Sequence, residues 1–326
     1  MRAVVYRHFG PPTVLELVER DRPTPGPDEV LVRVRAAGLN PYDWHFMRGE
    51  PVAFRPMMGQ GLRNPKRATI LGSDMAGVVE AAGEAVTRLR PGDEVYGVVG
   101  QGGCAEYIAV PARRLTAKPA RSSFEEAAAV PMAAVTALQA LRDFGRLQQG
   151  QTVLVNGASG GVGTFAVQLA KVLGAASVTG VCSAGNVELV KSIGADAVVD
   201  YTTEDFARGG QRFDLLVDTV GNRSLRDCRR ALKPKGTLVV VGGVGGRMLG
   251  PMARLLRARI LSPFVSQNLA GMVAQARIED LDYLRGLIEA GTVTPVIDRT
   301  YPLEEAAAAM GYLEGHHVRG KIVIAV

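Results

Sequence analysis

The sequence is poor in cysteine, in aromatic residues and in long apolar runs, and each shortage closes off a class of protein. Three cysteines in 326 residues, Cys104, Cys182 and Cys228, stand far apart. They can assemble neither a disulfide framework nor a four-cysteine zinc lobe, and Cys182, at the end of an apolar run, reads as core. Aromatic residues make up 6% of the chain. The net charge of +6 comes from scattered basic residues, with short groups only at Arg33 and Arg35, Arg63 to Arg67 and Arg254 to Arg259. None of these groups interleaves with aromatics as a base-stacking surface would, so a solvated basic face explains them better than a nucleic-acid partner. No apolar run approaches the ~18 residues of a membrane span. The N-terminal M-R-A-V-V-Y-R-H-F-G is too short in its apolar run and too polar after it for a secretory signal, which makes the cytoplasm the expected compartment.

What is present is the composition of a soluble globular protein, 47% hydrophobic and 21% charged, in a chain long enough for two domains of roughly 100 to 200 residues each. Its most informative stretch is V-L-V-N-G-A-S-G-G-V-G-T-F-A-V-Q-L-A-K-V-L, Val153 to Leu173. An apolar run breaks into Gly157, Gly160, Gly161 and Gly163, then resumes with Phe165, Val167, Leu169 and Val172 at helical spacing, the order strand, tight turn, helix. Such a turn lets the backbone of Ser159, Gly160, Gly161, Val162 and Gly163 approach a pyrophosphate, with the positive end of the new helix behind it. The match to G-x-G-x-x-G is imperfect, with Ala158 in the first glycine position; the surrounding βαβ unit of about 30 residues supplies the context the motif requires. An ordinary glycine-rich turn is the plainer alternative.

From Met1 to about Ala120 short strands alternate with Pro and Gly: A-V-V-Y, V-L-E-L-V-E, V-L-V-R-V-R-A-A-G, M-A-G-V-V-E-A-A-G, E-V-Y-G-V-V and A-E-Y-I-A-V. The alternation at Val30 to Arg35 gives one buried and one wet face, as in a small antiparallel barrel. Residues 49–69 show no period and read as a long loop of the kind that serves as a lid or binding segment, or is disordered. Ser123 to Leu147 turns helical. Beyond it, strands at 153–156, 177–182, 197–200, 213–218 and 237–242 alternate with helices at 164–173, 186–193 and 224–232, which argues for a parallel sheet covered on both faces. R-A-R-I-L-S-P-F-V, 257–265, reads as an added edge strand. The tail reads as a helix after Glu279, a short strand around Pro295 to Ile297, a helix from Leu303 to Glu314 and a terminal strand K-I-V-I-A-V. That last strand is too apolar to hang free. Its return to the first domain divides the chain into a catalytic domain in two pieces, 1–122 and 291–326, and an inserted nucleotide-binding domain, 123–290.

In an NAD site the second strand ends in an acid that takes the ribose 2′-OH. Here it ends V-C-S-A-G-N. Ser183 stands where a carboxylate would repel a 2′-phosphate, and its hydroxyl can donate to one. Asn186 and Tyr201 are further donors, and Lys191 a possible charge. NADP is therefore favoured over NAD; the alternative for Ser183 is a cap on the following helix.

Taken in order, G-L-N-P-Y-D at 38–43, L-G-S-D-M-A-G-V-V-E at 71–80, R-P-G-D-E-V at 90–95, N-G-A-S-G-G-V-G at 156–163 and R-G-K-I-V-I at 319–324 resemble the zinc-independent quinone-oxidoreductase branch of the medium-chain dehydrogenase/reductase superfamily. The resemblance implies an α/β fold: a GroES-like, β-rich catalytic domain with an inserted Rossmann domain whose parallel sheet is doubly wound. It also implies NADPH as hydride donor and a homodimer. Zinc members place a Cys where this chain has Asn40 and a His–Glu pair where it has Ser73 and Asp74. Without those ligands no metal is expected, and the simpler chemistry is hydride transfer to a conjugated carbonyl, which spreads the developing charge. By resemblance Asn40 lies beside nicotinamide and substrate. Asp43 anchors that loop or simply bonds its own turn. Tyr42, Trp44 and His45 are nearby candidates for stacking or proton donation. Thr136 resembles a threonine near the cofactor, or simply bonds its own helix backbone; by the same resemblance Val220 and Gly221 border the adenosine, Gly242 and Gly243 the nicotinamide, and Lys321 contacts phosphate or nicotinamide. Related enoyl-thioester reductases and some quinone reductases carry a tyrosine where this chain has Pro51, which leaves water or a neighbouring group as the proton donor. The expected activity is NADPH-dependent reduction of a quinone or α,β-unsaturated carbonyl. An enoyl-thioester or other biosynthetic enone reductase is the enzymatic alternative, and a nucleotide-sensing or RNA-binding protein with little turnover the alternative of another class.

Overall fold

Alternating and continuous apolar runs sort the chain into two kinds of sheet. The computed structural model describes residues 1–56, 60–61, 63–242, 248–250, 252–315 and 318–326. The first stretch gives β1 (Arg2–Tyr6), β2 (Glu16–Glu19), β3 (Glu29–Leu39), α1 (Pro41–Arg48), β4 (Thr69–Ile70), β5 (Asp74–Ala82), β6 (Glu94–Val98), β7 (Tyr107–Pro111) and β8 (Leu115–Ala117), followed by α2 (Phe124–Ala128) and α3 (Pro131–Gln139). Then come β9 (Thr152–Asn156), α4 (Gly161–Val172), β10 (Ser177–Cys182), α5 (Val187–Ser192), β11 (Ala197–Asp200), β12 (Phe213–Asp218), α6 (Leu225–Arg230), β13 (Leu232–Val240), α7 (Met252–Leu261) and β14 (Asn268–Gly271). The chain closes with α8 (Ile278–Glu289), β15 (Ile297–Pro302), α9 (Ala306–Glu314) and β16 (Lys321–Ala325). Two compact units result, Met1–Val135 with Ala276–Val326, and Thr136–Gln275.

In the first unit β15, β16, β3, β5, β6 and β8 lie in that order in one sheet with β7 added against β3, and β2, β1 and β4 form a second. The strands pair antiparallel except β15 with β16. Along β3, Val30, Val32 and Val34 are buried while Arg33 and Arg35 face solvent, as the alternation predicts; Leu31, expected on the wet face, is buried, at a shift in the register between β3 and β5. The terminal strand is not free: Ile322 to Ala325 of β16 pair with Leu39 to Ala36 of β3. This pairing brings the last residues of the chain to the end of β3, from which α1 departs. At the other end of α1, Arg48 forks onto Glu314 of α9 with bonds of 2.7 and 2.8 Å.

In the second unit six strands run parallel in the order β11-β10-β9-β12-β13-β14. The chain winds outward from β9 in both directions, so β9 and β12 flank the point where the winding reverses, the place where such sheets bind ligands beyond their carboxyl ends. Val153, Leu154 and Val155 are fully buried, as a strand covered on both faces requires.

Several elements differ from the sequence reading. Pro41–Arg48, in a region read as strands and turns, forms the helix α1, and the strand expected from 237 already begins at Leu232, where the helix expected at 224–232 has ended. Residues 257–265 form no strand: they finish α7 and enter a short turn, Ser262–Phe264, and the edge strand is β14. Leu255 and Ala258 are buried while Leu256 and Ile260 are exposed, a helical period that a nine-residue window opening at Arg257 conceals. The strand expected around 295–297 begins at Ile297, because Pro295 has no N–H to give a ladder. The helix expected from Leu303 starts as a tighter turn and becomes regular only at Ala306. The loop at 49–69 carries a short turn, Val52–Phe54, and is tied down by Arg55 Nε donating to the Gly49 carbonyl (2.6 Å) and Gln60 Nε2 donating to that of Phe46 (2.9 Å); residues 57–59 and 62 lie outside the described residues. Among the described residues no helix is long and apolar enough to cross a membrane.

Candidate active site

The second unit presents a backbone cradle. After β9 the chain turns on Gly157, with φ of 85°; a Cβ there would stand 2.4 Å from Thr219 Oγ1. The turning glycine thus lies one residue ahead of the motif's first position, and Ala158, which takes that position, is buried. Gly163 is needed for close packing, since a Cβ would meet the Gly157 carbonyl oxygen at 2.0 Å. At Gly160 neither constraint applies: the nearest atom to a Cβ would be the Gly157 oxygen at 3.5 Å. The space above it is open to another molecule. Gly157 and Ala158 N–H both donate to the Val181 carbonyl (3.1 and 2.9 Å), which fixes the turn against β10. The bond from Thr164 N–H to the Gly160 carbonyl (2.9 Å) opens the helical ladder, so the N–H groups of Gly161, Val162 and Gly163 point outward at the positive end of α4. These features fit a pyrophosphate.

Beside the cradle, Asn186 Nδ2 donates to Ser159 Oγ and to Ser183 Oγ, each at 3.2 Å. Ser183 precedes a short turn but its side chain caps nothing. Asn186 Oδ1 is buried and has no hydrogen-bond partner among the described residues. Tyr201 donates its backbone N–H to the Cys182 carbonyl (3.1 Å) and leaves its ring 47% exposed next to that strand end. Asp200, the register partner of Cys182, turns its carboxylate to its own loop, accepting from Thr202 N–H and Oγ1 at 3.0 and 2.8 Å. Lys191 is exposed and pairs with Glu188 at 3.5 Å.

A buried carboxylate organises the third loop. Asp218, wholly buried at the end of β12, accepts from Asn156 Nδ2 across the winding reversal (2.8 Å) and from Gly221 N–H (2.9 Å) and Val220 N–H (3.3 Å). Arg254 of α7 closes the network with Nη2 on Asp218 Oδ2 at 2.6 Å. Val220 and Gly221 are thereby held on the same anchor that receives the Val241 and Gly242 N–H groups through its backbone carbonyl. Gly243 lies outside the described residues, and Thr136 is buried on α3. The sequence gives neither Asp218 nor Arg254 a role at the site, Arg254 standing out only as the start of a basic group. A lone acid closing an apolar run, as in L-L-V-D-T-V-G, is a usable signal for the first; no local pattern links Arg254 to it.

The first unit holds a sealed polar cluster where three neighbouring strands end. Asn40 follows β3, Ser73 precedes β5 and Asp74 opens it, and Lys321 opens β16; with Asp43 of α1 all five are at most 3% exposed. Asn40 Nδ2 donates to Asp74 Oδ2 (2.8 Å) and Ser73 Oγ (3.0 Å), while Asn40 Oδ1 accepts from Lys321 Nζ. Lys321 Nζ also donates to the Leu39 carbonyl at 2.8 Å and lies 3.9 Å from Asp74 Oδ2. Asp43 Oδ2 accepts from Asn40 N–H (2.8 Å) and Ser73 Oγ (3.1 Å). Asp74 further accepts the Met132 N–H at 3.1 Å. Burial raises the Asp43 carboxyl to about 7 and that of Asp74 to about 6, and lowers Lys321. Tyr42, half-buried on α1 and 4.4 Å from the Phe46 ring, has its phenol pushed up to about 12 by burial, with Asp43 adding to the shift. It keeps its proton across the neutral range.

This arrangement separates residues that the sequence had grouped. Asn40, read as a neighbour of substrate, spends its carboxamide inside the cluster. Lys321, read as a cofactor contact, turns its ammonium toward Asn40 and Asp74. The donor set does not fit a zinc ion: positions 40 and 73 offer a carboxamide and a hydroxyl, and an ammonium already lies among them. Among the described residues no group of three or more His, Cys, Asp or Glu side chains is placed to hold a metal.

With this geometry in hand, comparisons with known proteins place the chain. The family described as the alcohol dehydrogenase GroES-like domain matches residues 26–120, and the one described as zinc-binding dehydrogenase matches residues 193–324. A chloroplastic quinone-oxidoreductase homolog of Spinacia oleracea is 34% identical, covering 99% of this chain and 98% of its own. An Arabidopsis thaliana chloroplastic NADPH-dependent alkenal/one oxidoreductase is also 34% identical, covering 99% and 79%. The solved quinone oxidoreductase of Coxiella burnetii superposes with a TM-score of 0.86 at 32% identity, over 100% of this chain and 99% of its own. The GroES-like match and the six-stranded parallel sheet bear out the α/β fold expected from the sequence.

The raised carboxyl of Asp43 sets a direction for stability. A folded-state value of about 7 against an ordinary 3.8 means that the native state holds a proton the unfolded chain has released. This contribution is complete below about pH 4 and is lost as pH rises through about 7. Asp43→Asn, uncharged throughout, lacks it. The melting temperature of the wild type, followed from pH 4 to pH 8, falls relative to that of the variant; parallel curves would show Asp43 ionised in the fold.

Proposed function

This chain belongs to the quinone-oxidoreductase branch of the medium-chain dehydrogenase/reductase superfamily, and from that premise we propose that it uses NADPH to reduce quinones or α,β-unsaturated carbonyl compounds. It is an NAD(P)-dependent oxidoreductase. The observation that carries the choice of NADPH is the end of β10, where Ser183, Ser159 and Asn186 form a hydrogen-bonded polar group and the neighbouring Asp200 turns its carboxylate to its own loop. A 2′-phosphate meets donors there and no repelling charge. The nicotinamide, when bound, supplies the hydride. The chain's part is to hold the pyrophosphate on the N–H groups at the start of α4, to fix the 218–222 loop through Asp218, and to keep a proton available.

We assign proton delivery to the Tyr42 hydroxyl, which stays protonated at neutral pH. Asn40 and Asp43 act through position: the bonds from Asn40 N–H to Asp43 and from Asp43 N–H to the Asn40 carbonyl (2.9 Å) set the first turn of α1, on which Tyr42 sits. We further propose a homodimer. Leu256, Ile260 and Phe264, spaced four apart, are 50%, 69% and 81% exposed beside β14, the edge strand of the parallel sheet. An apolar row along an open sheet edge is the pattern a second copy of the chain covers.

NADPH oxidation is measured with a panel of quinones, short enones and enoyl thioesters, with NADH in parallel. Turnover with quinones or enones at lower KM for NADPH is the expected result; tight cofactor binding without turnover on any acceptor would refute the reductase reading. Ser183→Asp raises the KM for NADPH by roughly tenfold or more and spares that for NADH, since a like charge at hydrogen-bond distance costs at least ~1.4 kcal/mol. Tyr42→Phe lowers kcat by about a hundredfold with cofactor affinity unchanged, the scale of a lost general acid. Sedimentation of the wild type yields a dimer and that of Ile260→Glu/Phe264→Glu a monomer; a monomeric wild type would remove the dimer proposal alone.

A further inference from the structure

We propose that Lys321 is the internal counter-ion of Asp74 and the positioning residue of Asn40, rather than a contact to the cofactor. The proposal deepens the reductase reading and rests on it for its kinetic readout only. An ammonium has three donors and no acceptor. Those of Lys321 face the Leu39 carbonyl, Asn40 Oδ1 and the Asp74 carboxylate, and its side chain is 3% exposed. Reaching a phosphate would break all of these contacts and leave Asp74, which is wholly buried, with hydrogen bonds from Asn40 and Met132 but without the Lys321 counter-ion.

The two charges also decide which way the Asn40 amide lies. With Oδ1 on the ammonium and Nδ2 on Asp74 Oδ2 at 2.8 Å, each end meets its complement. Reversed, the NH2 would face the ammonium and the oxygen would face the carboxylate. Ser73 Oγ, which accepts from Nδ2 at 3.0 Å and donates to Asp43 Oδ2 at 3.1 Å, passes this orientation on to α1. Lys321 enters from a strand whose register on β3 places Ile322 opposite Leu39. The position of α1, and of Tyr42 on it, therefore depends on a cation supplied by the end of the chain.

The test compares Lys321→Met, Asp74→Asn and the double variant by NADPH affinity from fluorescence titration, by kcat and KM, and by melting temperature. The proposal expects Lys321→Met to lose on the order of a hundredfold in kcat through misplacement of the site, with NADPH affinity unchanged. Adding Asp74→Asn recovers melting temperature lost in the single variant, because the uncompensated buried charge is gone. A several-fold loss of NADPH affinity with kcat intact would overturn the proposal in favour of a cofactor contact. So would an unchanged kcat, or a double variant less stable than Lys321→Met. If Lys321→Met does not fold, recovery of folded protein in the double variant supports the counter-ion pair, and failure of both overturns it. A wild type without turnover refutes the reductase reading, while the melting comparison still decides the pairing.

Discussion

A single buried ammonium supports the first unit's candidate site. Lys321 brings a positive charge into a region where Asp43 and Asp74 are fully buried, and charges removed from water are tolerated only when paired and hydrogen-bonded. The arrangement is economical in topology. β16, β3 and β5 are neighbours in one sheet, so residues at their ends meet without any long loop. Asn40 bonds both Ser73 and Asp74, and Asp43, Met132 and Lys321 take up the remaining contacts of the three, which gives a firm base under α1. The cost is that the unit cannot complete this base until its last strand is in place, because Lys321 and Asn40 are 281 residues apart.

The second unit solves a similar problem with Asp218 and Arg254. There the buried ion pair lies at the end of β12, beside the reversal in strand winding, and the carboxylate gathers the N–H groups of Val220 and Gly221. The loop N–H groups and the Asp218 carboxylate are thus paired internally. The N–H groups at the start of α4 are left open, and open donors at a helix N-terminus are what an anionic ligand requires. In both units a buried polar network fixes the backbone, leaving only Asp43 Oδ1 in the first and Arg254 Nε in the second without a hydrogen-bond partner among the described residues, and the groups available for chemistry lie next to it. Asn40 and Lys321 belong to the network in the first unit, although their residue types look like chemistry when read alone.

Much of the architecture was legible because it rests on local periodicity. The apolar run and glycines of 153–163 announce strand, turn and helix at a range of a few residues, and the five strands of the parallel region stand near their expected places. Errors arose where a window was too short to show its period, as at 257–265, or where a proline moved a boundary, as before Ile297. The site was legible in part. G-L-N-P-Y-D marks Asn40 and Asp43, and the missing acid after β10 marks Ser183, because each signal lies within one turn or one βαβ unit.

The sequence by itself determined the fold class, the glycine cradle and the absence of an acid at Ser183, all properties of neighbouring residues whose spacing is written in the chain. Only the tertiary structure decided what the charged residues do. That Lys321 faces Asp74, that Arg254 reaches Asp218, and that Asn40 is spent inside a cluster follow from strand order and register. Pairing partners 34 to 281 residues apart leave no periodic trace in the chain, and burial alone turns an ordinary lysine and two ordinary aspartates into a set that must balance one another.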